Sequence, residues 1–238
     1  MMLKEQKMDE VVLRKLGIDA PNQDLSDWED MLFALRNPKQ TVKIAMVGKY
    51  VELHDSYISV NEALKHGGIA TRSAVDINWI DSESLESDGV DLDEVFKDVD
   101  GILVPGGFGN RGVEGKVMAA KYAREHDIPY LGICLGMQTA VIEFAKHVLG
   151  YEDANSGEFA PEGKHNVIDL MPEQLGIEDM GGTMRLGAYP CVIKKGSIME
   201  RAYGKPEVQE RHRHRYEFNN DYREEIEKAG MIITGTSP

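Results

Sequence analysis

The chain has 238 residues and a formal net charge of -14, a size that suits one α/β domain with room for an appendage. So acidic a chain argues against non-specific nucleic-acid binding, which depends on neutralising phosphates, and against docking on anionic membranes. No apolar run approaches the ~20 residues of a membrane span, and the opening residues MMLKEQKMDE lack the apolar core of a secretory signal.

Residues 1–40 predict a short helical arm. MDEVVLRKLGI predicts an amphipathic helix that ends at Gly17. SDWEDMLFALR predicts a second helix, with Ser26 and Glu29 as a capping box and Asn37-Pro38 as its end. Two helices this short cannot bury a core of their own, so we interpret this segment as an arm or linker belonging to another domain.

From Thr41 the sequence alternates between strand and helix patterns. VKIAMVG, VDINWID, GILVPGG and IPYLGIC predict strands, and SYISVNEALKHGG predicts a helix stopped by its two glycines. Further helices are predicted at LDEVFKDV, VEGKVMAAKYAREHD and MQTAVIEFAKHVLG. Apolar strands joined by amphipathic helices predict an α/β fold, with a mostly parallel central sheet and helices on both faces. Ligands bind such sheets beyond the carboxyl ends of the strands.

After Gly150 the pattern loosens but continues. NVIDLM, LGAYPCVIK and MIITGTSP predict strands, and SIMERAYG and NDYREEIEKAG predict helices. Since no linker-like or low-complexity stretch interrupts the sequence, residues 41–238 are interpreted as one domain.

Two stretches stand out by charge. Residues 81–100 carry nine acids and one Lys, which we interpret as a solvated face around a short helix rather than a metal site. RHRHR, at 211–215, predicts a strand with three arginines on one face and His212 and His214 on the other. That arginine face suits carboxylate or phosphate recognition, or equally an ordinary salt-bridged strand surface.

The chain has only two cysteines, far apart, so a disulfide framework is not predicted and a reducing cytoplasm is the expected location. Cys191, within AYPCVIK, fits a small buried side chain without reactivity. Cys134 lies in G-x-C-x-G, between a strand and a helix, where small neighbours permit the sharp turn that projects a nucleophile. A helix N-terminus also favours the thiolate form. Cys134 is therefore the candidate nucleophile.

A second glycine cluster, GILVPGGFGNRG, follows another predicted strand. In a parallel sheet this turn can lie beside the Cys134 turn and present backbone N–H groups to an oxyanion. No GK[ST] follows, so the cluster is not a Walker A loop.

Together these motifs resemble a known family. PGGFG at 105–109 followed by GICLGMQ at 132–138 is similar to the class I, triad-type glutamine amidotransferases. YVELHDSYISVNEALKHGG, NVIDLMPEQ, DMGGTMRLG and ERHRHRYEFN narrow the resemblance to the C-terminal glutaminase domain of CTP synthases. It runs from about Thr41 to the end of the sequence and implies a flavodoxin-like fold. Residues 1–40 resemble the end of the synthetase domain and the interdomain linker.

The resemblance implies a reaction. L-glutamine would be hydrolysed through a glutamyl thioester on Cys134, and the ammonia would pass to a synthetase domain that aminates UTP to CTP with ATP and Mg²⁺. That partner domain is not in these residues, and no cofactor or metal is implied for the glutaminase domain itself. GTP would act as an allosteric effector, near GNRGVEG at 109–115.

The resemblance also implies a binding site. Gly107 would contact glutamine and the oxyanion through its backbone, Glu158 would bind the α-amino group, and Arg215 would close the pocket from the other side. The start of the helix after Cys134 would line the glutamine pocket, at Leu135, Gly136, Met137 and Gln138.

One part of the triad is not matched. The family places the catalytic His and Glu in an H-P-E motif, one strand past Pro238, and no H-x-E follows Cys134 here. His212 and His214 do not correspond to the catalytic base. We expect that the sequence is cut short and that this polypeptide alone lacks useful glutaminase activity.

Two alternatives stay open at this point. The chain could belong to another triad amidotransferase, serving GMP or carbamoyl phosphate synthesis. It could also be a non-catalytic glutamine-sensing or assembly module that has lost its His–Glu pair.

Overall fold

The computed structural model describes residues 2–20, 24–171 and 184–238. Its centre is a four-stranded sheet in the order β2-β1-β3-β4, in which every neighbouring pair is parallel. The strands overlap the predicted ones, although the third and fourth are shorter than GILVPGG and IPYLGIC: β1 (Gln40–Gly48), β2 (Ser73–Asp81), β3 (Gly101–Val104) and β4 (Tyr130–Gly132).

Helices cover both faces of this sheet, which confirms the predicted fold class. They are α4 (Ile58–Thr71), α5 (Leu92–Val95), α6 (Val113–Glu125) and α7 (Leu135–His147). One face buries Ala45, Val47 and Ile102 against Ala119 and Ala123 of α6. The carboxyl ends of β3 and β4 lead directly into the two glycine-rich turns, so those turns lie side by side.

Two smaller sheets follow the central sheet along the chain and form a second layer. One three-stranded sheet has the order β5-β6-β9 and the other β10-β7-β8. The strands are β5 (Asn155–Ser156), β6 (Asn166–Leu170), β7 (Arg185–Ile193), β8 (Glu207–His214), β9 (Tyr216–Phe218) and β10 (Gly235–Thr236), with α8 (Ile198–Tyr203) and α9 (Arg223–Lys228) as helices. Strand β10 is much shorter than the predicted strand MIITGTSP. Residues 172–183, within the stretches that carried part of the resemblance, lie outside the described residues.

The N-terminal segment forms α1 (Met2–Glu5), α2 (Met8–Leu16) and α3 (Ser26–Arg36), with no buried residue in α2 or α3. Gly17 ends α2 at φ 65°, as predicted. The predicted capping box is wrong: Ser26 is the first residue of α3, and its N–H donates to the Asp24 carboxylate at 3.0 Å.

Helix α4 corrects a second prediction. It continues through Gly67 and Gly68 to Thr71 and ends at Arg72, at φ 54°. A Cβ at Gly68 would lie 2.6 Å from the Ser73 carbonyl oxygen. Glycine is therefore required there by close packing on β2, not by a helix stop.

Helices α6 and α7 are joined by a half-buried ion pair. Arg124 Nε lies 3.1 Å from both carboxylate oxygens of Glu143, and a terminal guanidinium nitrogen lies 2.8 Å from one of them. The Glu143 side chain is 3% exposed. This bidentate pair fixes the helix that follows one glycine turn against the helix that follows the other.

The acidic stretch folds as predicted around short helices, a 3₁₀ turn at Ser82–Glu86 and α5. Within the described ranges, no three His, Cys, Asp or Glu side chains are grouped so as to hold a metal ion. The described helices include none that is both long enough and apolar enough to cross a membrane.

Candidate active site

Cys134 occupies the sharp turn between β4 and α7. It is the N-cap residue of α7, and its backbone has φ 55° and ψ -111°. A side chain at positive φ is strained, and such strain concentrates at functional sites. The predicted strand-to-helix elbow is therefore present.

The flanking glycines make this turn possible. A Cβ at Gly132 would lie 2.4 Å from the carbonyl carbon and oxygen of Gly136. A Cβ at Gly136 would lie 2.0 Å from the Val104 carbonyl oxygen, at the end of β3. The Gly136 carbonyl accepts from the Tyr130 hydroxyl at 2.7 Å and from the Thr139 hydroxyl at 3.0 Å. Both glycines of G-x-C-x-G are thus fixed by backbone contacts.

The thiol is not in an acidifying environment. Burial raises the pKa of Cys134, the negative charge of Glu158 raises it further, and only the Leu135 N–H hydrogen bond lowers it. The helix N-terminus favours the thiolate, as expected, but its effect on the pKa is smaller than that of desolvation. Attack by this thiol requires a base to take its proton.

The PGGFG turn lies against Cys134, as predicted. A Cβ at Gly106 would lie 3.3 Å from the Cys134 Cβ, and one at Gly107 would lie 3.7 Å from a Leu135 methyl group. Lys49 Nζ holds the turn from outside, donating to the Phe108 carbonyl at 3.0 Å. The two glycines thus leave the backbone of the turn without side chains next to Cys134, and its contact with an oxyanion stays a prediction.

Lys116 is a residue that the sequence interpretation missed. It lies on α6, is 1% exposed, and its Nζ is 3.9 Å from the Cβ position of Gly107. Burial lowers the pKa of Lys116 to about 8, and the charge of Lys49 adds to this, against the raising influence of Glu86. In the sequence it occupies an ordinary position of an amphipathic helix, so no local signal distinguishes it from a surface lysine.

Gln138 and Arg215 are brought to the same side of α7. Gln138 is 5% exposed, and its Nε2 donates to the Tyr216 carbonyl at 3.0 Å. Arg215, next to Tyr216, is 8% exposed. The chain bend between β8 and β9 therefore places Arg215 next to the residue whose carbonyl is bonded to α7.

Glu158 lies on the loop after β5, half-buried and close enough to Cys134 to act on its pKa. Burial raises the pKa of Glu158, while a Gly109 backbone N–H that donates to it lowers the pKa. This carboxylate thus lies near both glycine turns, and it was the family resemblance, not the local sequence pattern, that pointed to it.

The other predicted lining residues differ in exposure. Leu135 is 2% exposed, Met137 is 40% exposed, and Gly136 packs beneath the turn on Val104. Their contacts with glutamine stay predictions.

The segment predicted to respond to GTP begins α6. Gly112 is the N-cap at φ 69°, and Arg111 forms an ion pair with Glu83 at 2.7 Å. The Gly115 N–H donates to the Glu86 carboxylate at 3.0 Å.

The first four residues of RHRHR form the end of β8, and the fifth lies outside the strand. Arg211 and Arg213 are exposed and His212 and His214 half-buried, as the alternation predicts. Arg215 does not share the arginine face, because β8 ends at His214 and the chain turns inward. Cys191, in β7, is 9% exposed, as expected of a packed thiol.

This geometry agrees with comparisons with known proteins. Residues 52–238 match the family described as "Glutamine amidotransferase class-I". CTP synthase of Listeria innocua is 56% identical over 236 residues, covering 99% of this chain and 44% of the relative. CTP synthase of Thermus thermophilus is 56% identical over 238 residues, covering 100% of this chain and 43% of the relative. The chain thus spans less than half the length of these relatives.

A solved structure has the same fold. The glutaminase domain of Trypanosoma brucei CTPS, with bound acivicin, has a TM-score of 0.77 at 46% identity, covering 83% of this chain and 75% of that chain. The chain therefore belongs to the class I glutamine amidotransferases, and within them to the group of the CTP synthase glutaminase domains.

Proposed function

We propose that this chain is the ammonia-producing part of a CTP synthase, with L-glutamine as its substrate. The observation that carries the proposal is the strained Cys134 turn, clasped between Gly132 and Gly136 and set against Gly106. That arrangement suits covalent acyl chemistry.

In the proposed reaction the Cys134 sulfur attacks the side-chain carboxamide carbon of glutamine. The carbonyl oxygen becomes an oxyanion, for which the backbone N–H groups of Gly107 and Leu135 are the candidate donors. Collapse of this intermediate breaks the C–N bond, releases ammonia after proton transfer to nitrogen, and leaves a thioester. Water then hydrolyses the thioester to glutamate.

Two charged residues suit the other end of the substrate. Glu158 is placed to accept from the α-ammonium group, and the Arg215 guanidinium suits the α-carboxylate. Leu135, Gly136, Met137 and Gln138 complete the pocket in this proposal.

The proton of the thiol needs a base, since burial raises the pKa of Cys134. In the family this is a histidine oriented by a glutamate. Because neither corresponds to a residue of this chain, we propose that the 238-residue polypeptide turns glutamine over very slowly by itself.

The rest of the proposal concerns the whole enzyme. The ammonia would aminate UTP in a synthetase domain that binds ATP and Mg²⁺, and residues 1–40 would connect to that domain. GTP would act as effector near residues 109–115. A reducing cytoplasm is the proposed location, supported by two unpaired thiols.

The test measures glutamine-dependent ammonia release by this chain and by a version extended through the H-P-E motif. Rapid release by the extended protein, lost in Cys134→Ala, supports the proposal. Turnover by the short chain close to that of the extended one, abolished by Cys134→Ala, contradicts the need for the missing base. Glutamine binding without turnover in both forms favours the non-catalytic sensing module.

A further inference from the structure

A histidine pair on β8 has no part in the chemistry described above. His212 Nδ1 lies 2.7 Å from His214 Nε2, and His214 Nδ1 lies 3.1 Å from the Tyr216 carbonyl oxygen. Both rings are half-buried on the face of β8 opposite Arg211 and Arg213. Both distances are those of hydrogen bonds, so the rings and the carbonyl form a short chain of donors and acceptors.

The Tyr216 carbonyl determines where the hydrogens lie. A carbonyl oxygen only accepts, so Nδ1 of His214 carries a hydrogen, and Nε2 of a neutral His214 is bare. That bare nitrogen accepts from Nδ1–H of His212. Both neutral rings are therefore Nδ1–H tautomers.

The same carbonyl is bonded to the helix of the nucleophile. It accepts from Gln138 Nε2 at 3.0 Å, and the Gln138 backbone N–H donates to the Cys134 carbonyl at 3.1 Å. Arg215 lies between His214 and Tyr216 and is 8% exposed. The bonds on either side of Arg215 thus fix the bend that holds it beside α7.

We propose that His212 and His214 are positioning residues. As a neutral pair they hold the Tyr216 carbonyl, and through it Arg215 and Gln138, in the arrangement that binds glutamine. The identity of the ligand rests on the proposed function, whereas the hydrogen-bond relay does not.

The relay has a defined response to protons. A first added proton can take Nε2 of His212, which leaves both hydrogen bonds intact. A second must take Nε2 of His214, which is already accepting, so it breaks the bond between the rings and places two cations side by side. The relay opens when the pair becomes doubly protonated.

Strand β7 opposes that protonation. Among the described residues, Arg185 pairs with His214 in the β7–β8 register. Its guanidinium lies 4.1 Å from the centre of the Tyr189 ring, which meets His212 edge-on at 5.5 Å. A fixed cation beside the pair makes further positive charge costly.

The carboxylates nearby act in the other direction. Glu210 raises the pKa of His212 and Glu217 raises that of His214, but burial, the largest influence on both, lowers the two values. Because both pKa values are lowered, the neutral pair is complete above the ordinary histidine pKa of about 6.5 and is lost only as pH falls through the lowered values.

The first test uses ¹⁵N NMR of the imidazole nitrogens in the 238-residue protein. At pH 7.5 we expect hydrogen on Nδ1 of both rings. Two histidines that are merely packed against their neighbours would have no common cause for adopting this tautomer. Hydrogen on Nε2 of either ring overturns the relay.

The second test measures L-glutamine binding by titration calorimetry at pH 7.5. His214→Ala should weaken binding about tenfold, the scale of one lost hydrogen bond. His212→Asn, which keeps a donor but cannot titrate, should recover most of the affinity that His212→Ala loses. His66→Asn, at an exposed position of α4, is the matched control and should leave binding unchanged. Wild-type affinity in a folded His214→Ala protein overturns the positioning role.

A third measurement separates this proposal from the proposed function. If the wild-type protein binds no glutamine, the proposed function fails, and hydrogen exchange of the Gln138 side-chain amide then decides the relay. Exchange about tenfold faster in His214→Ala supports it. Equal exchange in the two proteins overturns it.

Discussion

Cys134 and Cys191 are the same side chain in two opposite settings. Cys134 caps α7 at φ 55° on a partly exposed turn, whereas Cys191 lies within β7, paired with Val208 and 9% exposed. Burial raises the pKa of both thiols, so neither is distinguished by acidity. The difference lies in backbone geometry and access, which leave the thiol partly exposed at one position and enclose it at the other.

The contrast between the two cysteines depends most on the glycines around Cys134, where the backbone leaves no room for a side chain. Gly136→Ala places a methyl group 2.0 Å from the Val104 carbonyl oxygen. Since that neighbour is backbone, we expect a loss of stability of about 3 kcal/mol or more in urea unfolding. Gly67→Ala is the matched control: no atom lies within 4 Å of its Cβ, and the helix should gain about 0.5–1 kcal/mol. Similar stability of the two variants would remove the steric basis of the turn.

Replacing each cysteine by glycine should change the stability of the fold in opposite directions. Cys134→Gly relieves the strain of a side chain at φ 55° and should stabilise the fold by about 1 kcal/mol while removing the proposed nucleophile. Cys191→Gly deletes a packed side chain within a strand and should destabilise by about 2 kcal/mol. Thermal and denaturant unfolding measure both, and destabilisation of equal size would show that the Cys134 turn stores no strain.

The two thiols should also differ in their rates of alkylation. With iodoacetamide at neutral pH, Cys134 should be alkylated roughly tenfold faster than Cys191, because its turn is the more accessible. The Cys134 rate should continue to rise with pH above about 8.5, since its pKa is raised above the ordinary value. Mass spectrometry of a labelling time course gives both rates, and equal rates contradict the elbow interpretation.

The smallest effect concerns the carboxylate beside each thiol. Glu158→Gln removes a charge that raises the Cys134 pKa, so more thiolate forms at pH 7.5 and alkylation should accelerate about threefold. Glu210→Gln is the equivalent change beside Cys191, where burial should keep labelling slow. Slower labelling of Cys134 in Glu158→Gln would mean that the charge assists the thiolate instead.

Much of the fold was predictable because apolar periodicity is local. The four parallel strands, the helices between them and the glycine turns at the ends of β3 and β4 follow from the pattern and are confirmed. The position of Cys134 beside Gly106 follows in turn from adjacent parallel strands that end at the same edge.

What the sequence did not reveal depends on contacts between distant segments. The sequence pattern predicts a helix stop at Gly68, although its true constraint is the backbone of β2. Lys116 has the pattern of a surface residue, yet it is buried behind Gly107. Arg215 leaves the arginine face because the chain bends after His214, which alternation within one strand cannot predict. Such features are fixed by tertiary packing rather than by local preference.

The ion pair between Arg124 and Glu143 has a consequence for how the site admits its substrate. Separating the PGGFG turn from Cys134 would pull α6 from α7 and break a pair whose carboxylate is 3% exposed and whose guanidinium is 34% exposed. These two turns therefore form the fixed wall of the site. If glutamine is the substrate, as proposed, its entry then depends on the residues that approach from the other layer, Glu158 and Arg215.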